Sequence, residues 1–145
     1  AAAHAAALVA LDADIRSRIA TIPERRRVLV TAHDAFRYFG RAYGIEVVGV
    51  QGTSTESEAG LHDVNRLVDL LVSRGVPAVF VETSVADRSV AALIEGAAAR
   101  GQPVTIGGRL YSDSLGVAGS GGDTLAAALT ANVETIVAAL AAENR

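Results

Sequence analysis

Four short apolar runs, each followed by a stretch with helical spacing, constrain this chain more than any other feature. They are Arg27-Val28-Leu29-Val30-Thr31, Glu46 to Val50, Ala78-Val79-Phe80-Val81-Glu82 and the shorter Pro103-Val104-Thr105-Ile106. Their apolar residues follow one another without the polar alternation of a strand that shows one face to water, so both faces need cover. Between them, Phe36, Phe39 and Tyr43, then Leu61, Val64, Leu67, Val68, Leu71 and Val72, then Val90, Leu93, Ile94 and Ala97 recur at the steps of one helix face. Gly44, Gly75 and Gly101 end these helices, and Asp87 offers an N-cap to the third. A last helix runs from about Asp123, with Leu125, Leu129, Val133, Ile136, Val137 and Leu140 inward. A first one, with Leu8, Leu11, Ile15, Ile19 and Ile22 on one face, spans Ala3 to Ile22 and stops at Pro23. The expected class is α/β: a four-stranded parallel sheet flanked by helices on both faces, preceded by a helix.

Composition narrows the function. At 145 residues one core suffices, because a domain of this size buries roughly 68–70% of its unfolded surface. The chain has no Cys, which excludes Cys-type zinc sites, thiol nucleophiles and redox pairs and leaves His, Asp and Glu as ligands. A net charge of −3 speaks against a nucleic-acid face. All 13 basic residues are Arg, and neither a Walker lysine nor a GxGxxG turn follows a strand, so no nucleotide is expected. A GxSxG elbow is absent too. No run of about 18 to 20 apolar residues and no signal segment is present. The Met-less opening Ala1-Ala2-Ala3-His4 reads as the interior of a longer product.

In a parallel sheet, ligands sit beyond the carboxyl ends of the strands, where His33, Gln51, Glu82 and Asp113 fall. His33 can bind metal, shuttle protons or merely cap. Asp113, in the glycine-rich stretch Gly107 to Gly122, can ligate or close an Asx turn. Glu82 can act as a base, accept an imidazole N–H or pair with Arg88. Ser120-Gly121-Gly122 resembles an anion cradle before the last helix. Arg25-Arg26-Arg27 reads as a solvated edge. His4 and His62 are the other imidazoles, and the βα order does not bring them to the same edge.

Three blocks carry a resemblance. Thr31-Ala32-His33-Asp34-Ala35-Phe36-Arg37-Tyr38-Phe39 with Ala42-Tyr43-Gly44-Ile45 resembles the start of the C-terminal lobe in solute-binding proteins of zinc and manganese ABC importers. Phe80 to Arg88 is similar to that family's strand and helix start, and Leu110-Tyr111-Ser112-Asp113-Ser114-Leu115-Gly116 to its ligand loop. Gly122-Asp123-Thr124 and the last helix, with Asn132, also fit.

The resemblance implies two α/β lobes joined by one long helix, with a metal held between them by two ligands from each lobe. Residues 1–22 would be the end of the linking helix and 23–145 the C-terminal lobe, the N-terminal lobe being absent. His33 and Asp113 would be two of four ligands, with Glu82 and Arg88 as supporting residues. His4 and His62 match neither of the other two. Three His and one Asp suit zinc, with manganese as the alternative. The implied role is extracytoplasmic capture, in the periplasm or at the cell surface with a lipid anchor as one form, for delivery to a membrane permease. The competing reading is a small α/β enzyme using His33, Glu82 and Asp113 as an acid–base cluster.

Overall fold

The computed structural model describes residues 2–50, 61–82 and 88–142, with backbone alone for Leu61, His62, Arg88 and Ser89. Gln51 and Asp87, and the side chains of His62 and Arg88, therefore lie outside the described residues. The elements follow the expected order: α1 (Ala2–Ala20), β1 (Val28–Thr31), α2 (Arg37–Tyr43), β2 (Glu46–Gly49), α3 (Leu61–Arg74), β3 (Ala78–Glu82), α4 (Arg88–Ala99), β4 (Thr105–Leu110) and α5 (Leu125–Leu140). No described helix is long and apolar enough to cross a membrane.

The strands pair in parallel, β1 with β2 and β3 with β4, and β1 lies against β3. Every residue of β1 and β3 is buried, as in strands covered on both faces, whereas β2 and β4 are partly open. The helices sort into two packed groups, α3 with α4, and α1 with α2 and α5. Leu29, Val79, Phe80, Leu93, Ile136 and Leu140 are sealed between these layers together with Ile15 and Ile19 of α1. Earlier in α1 the apolar stripe loses its cover, Leu8 being 44% exposed, and the neighbouring Val9 is 71% exposed.

Three expectations need correction. The α/β class holds, but in place of one four-stranded sheet the described strands form two parallel two-stranded sheets, β1 with β2 and β3 with β4, set side by side through β1 and β3. The fourth strand extends beyond Ile106 to Leu110 and takes in Gly107 and Gly108, the start of the glycine-rich stretch expected to follow it. These glycines let α5 approach closely, since a Cβ on Gly107 would stand 2.7 Å from Ala139 and one on Gly108 2.4 Å from Thr135. The basic run is not a solvated edge. Arg26 is 7% exposed and donates to the Ala142 carbonyl at 2.7 Å, while Arg27 donates to Ile22 and Ala20 carbonyls at 3.0 and 3.2 Å. Carbonyls left over at helix ends attract such cations, so two of these arginines hold the ends of α1 and α5.

Candidate metal centre

His33 follows β1 in a tight turn rather than opening a helix. Its carbonyl accepts the Thr31 hydroxyl at 2.8 Å and the Ala35 N–H at 3.0 Å. The turn lies on the end of β2, where a Cβ on Gly49 would come 2.5 Å from Asp34 N and 2.8 Å from the His33 carbonyl carbon. Only a glycine at this position lets the turn settle there. Nearby, Arg37 pairs with Asp34.

Glu82, the last residue of β3, is fully buried. Its Oε1 accepts the His33 backbone N–H at 3.0 Å. A side chain thus supplies, at the seam between β1 and β3, the acceptor a neighbouring strand would otherwise provide. Oε2 faces His33 Nδ1 at ion-pair range, although the two are not aligned as a hydrogen bond. Burial raises the Glu82 pKa above its ordinary 4.5, against the lowering influence of the His33 N–H, the His33 ring and Ser112, and Asp113 raises it further. On the outer side Arg109 donates to the Glu82 carbonyl at 2.8 Å.

The other face of the imidazole meets Asp113. Nε2 stands 3.1 Å from Asp113 Oδ2, with the His33 side chain 7% and that of Asp113 61% exposed. Of the residues singled out in sequence, His33, Glu82 and Asp113 come together and His4 lies exposed on α1. The cradle turns its N–H groups to its own loop: Ser120 N–H goes to the Val117 carbonyl at 3.0 Å, and Gly122 N–H to the Ser120 hydroxyl at 3.3 Å. Thr124 caps α5, accepting the Ala127 N–H at 3.2 Å.

Sequence reasoning saw Asn132 only as part of a resemblance. Its amide clamps both backbone groups of Tyr111, accepting from N–H at 2.9 Å and donating to C=O at 2.8 Å. The available signal was a lone amide on the apolar face of the last helix.

A carboxylate only accepts, so across 3.1 Å Nε2 donates its N–H to Asp113 Oδ2; with the proton on Nδ1 instead, beside Glu82, Nε2 would offer a lone pair. In that second tautomer Nε2 and Asp113 Oδ2 would be two electron-pair donors 3.1 Å apart. Among the described residues no group of three or more His, Asp or Glu side chains is arranged to hold a metal ion by itself.

Comparison with known proteins places this fold among periplasmic metal-binding proteins. The periplasmic zinc binding protein TroA from Treponema pallidum matches with a TM-score of 0.88 and 49% identity, over 95% of this chain and 50% of that one. Residues 1–139 match the family described as zinc-uptake complex component A, periplasmic (ZnuA), and the chain belongs to that family. Manganese-binding lipoprotein MntA of Bacillus subtilis is 53% identical over 130 residues, and zinc-binding protein TroA of T. pallidum 51% over 131. In each case 90% of this chain and 42% of the relative are covered, so the chain spans about half the length of the curated relatives it matches. These relatives are named for binding a metal.

Proposed function

We propose that this chain is the C-terminal lobe of an extracytoplasmic protein that captures a divalent transition metal for an ABC importer. In this reading residues 1–22 end the helix that links two lobes and residues 23–145 form the second lobe. The metal is cargo, bound and released without chemistry. The Leu8 and Val9 surfaces left open on α1 suit a helix that continues into further structure. The family and the names of the relatives support the extracytoplasmic setting, a lipid anchor as one form of it, and a membrane permease as recipient.

The observation that carries this reading is the meeting of His33 Nε2 and Asp113 Oδ2 at 3.1 Å with Glu82 behind the ring. Two donors on one tetrahedral zinc, each about 2.0–2.1 Å from it, stand roughly 3.3 Å apart. An ion entering between these atoms therefore asks little movement of either. His33 and Asp113 would supply two of four ligands, and Glu82 would orient the imidazole and raise its basicity. Arg88 is proposed only as a neighbour of that carboxylate. Zinc accepts imidazole readily and manganese favours carboxylate oxygen, so a site of three His and one Asp would take zinc first and manganese second.

The test is zinc affinity of the full-length protein containing this chain, measured against a competing chelator. His33→Ala and Asp113→Ala should each lower it by orders of magnitude. Wild-type affinity in both would remove these residues from the site.

A further inference from the structure

Asn132 sits on α5, far from the strand ends in sequence, yet is only 4% exposed. A buried amide normally divides its donor and acceptor among several partners. Here both go to one residue, Tyr111, through its N–H at 2.9 Å and its C=O at 2.8 Å. The amide stands in for a neighbouring strand at the first residue after β4, where the ladder to β3 has ended at Leu110. It therefore holds the backbone at the point where the Asp113 loop departs.

The Tyr111 ring continues the same job within the loop. A Cβ on Gly122 would reach within 2.3 Å of the ring, and one on Gly116 within 2.9 Å. Gly116 N–H also closes on the Gly122 carbonyl at 2.8 Å. Residues 111–122 thus pack about one ring, and the backbone that carries that ring is held by Asn132. Two residues beyond Tyr111 comes Asp113, with its side chain 61% exposed and its Oδ2 facing His33 Nε2. A loop carboxylate so open to water has freedom to swing, and a ligand geometry loosened by about an ångström loses affinity.

We infer that Asn132 is a positioning residue of the metal centre: by pinning Tyr111 it sets where Asp113 stands relative to His33. The inference rests on the reading of His33 and Asp113 as ligands. Asn132 itself does not touch the ion.

The experiment compares Asn132→Ala and Asn132→Asp with wild type, His33→Ala and Asp113→Ala in the full-length protein. The aspartate keeps an acceptor for the Tyr111 N–H and removes the donor to its C=O, so it serves if the alanine variant does not fold. Readouts are zinc affinity by chelator competition, zinc release rate, and the visible absorption of bound Co²⁺, which reports coordination geometry. Both Asn132 variants should displace the cobalt spectrum, speed zinc release and weaken zinc by about tenfold, the lower end of what supporting residues of metal sites contribute. Folded Asn132 variants with a wild-type cobalt spectrum and zinc affinity would overturn the inference, leaving the amide a merely structural tie. If His33→Ala and Asp113→Ala also bound like wild type, the ligand reading itself would be what failed.

Discussion

Glu82 holds His33 at two points, accepting its backbone N–H at 3.0 Å with one carboxylate oxygen and facing its Nδ1 with the other. Backbone and ring are thereby oriented together, and Nε2 faces Asp113 at 3.1 Å. Glu82→Gln keeps an acceptor for the N–H but loses the negative charge beside Nδ1. Metal affinity of the full-length protein should fall by about 10- to 100-fold with little change in fold, as chelator competition and circular dichroism would read.

The same carboxyl group gives a pH signature. Its folded pKa lies above the ordinary 4.5, so between the two values the folded state binds more protons than the unfolded one. This contribution to stability is fully present below the unfolded value and is lost as pH rises through the folded one. In metal-free protein, thermal midpoints should decline more steeply in wild type than in Glu82→Gln as pH rises above 4.5. Parallel curves would contradict the shift. With metal present the trend should reverse, because acid protonates the ligands and expels the ion.

Gly49→Ala tests the seat of the His33 turn. Its Cβ would stand 2.5 Å from Asp34 N, a backbone atom that cannot rotate aside. A cost of about 1–3 kcal/mol is expected from denaturant titration, together with weaker metal binding, since the displaced segment carries the ligand.

Thr124→Ala provides the contrast. It removes the cap that accepts Ala127 N–H, at a cost of about 1 kcal/mol. The loss should appear in the unfolding midpoint and leave zinc affinity of the full-length protein unchanged.

Residues 1–145 alone should bind zinc far more weakly than the full-length protein, because two donors leave the remaining positions to water. Calorimetry of the isolated chain should show weak binding that His33→Ala abolishes. Tight stoichiometric binding undiminished by that change would sink the half-site account.

The order of elements was legible in the residues because it depends on local patterns. Val28 to Thr31 and Ala78 to Glu82 are apolar on both faces, and such runs have nowhere to go but the middle of a covered sheet. His33, Glu82 and Asp113 were legible as candidates for the same reason, since each follows or ends a strand. Gly107 and Gly108 misled, since glycine signals a loop when read alone and becomes a strand residue only once α5 is pressed against it. Arg26 and Arg27 misled likewise, because a charge run looks solvated until helix-end carbonyls lie beside it.

By itself, then, the sequence determined the α/β class, the succession of strands and helices, and which ionisable residues stand at the carboxyl edge, all set by spacing along the chain. Only the tertiary structure decided that Nδ1 of His33 belongs to Glu82 and Nε2 to Asp113, and that Asn132 clamps Tyr111. The physical reason is range. Periodicity and turn chemistry act between near neighbours, whereas these contacts join residues far apart in the chain and exist only after the layers have packed.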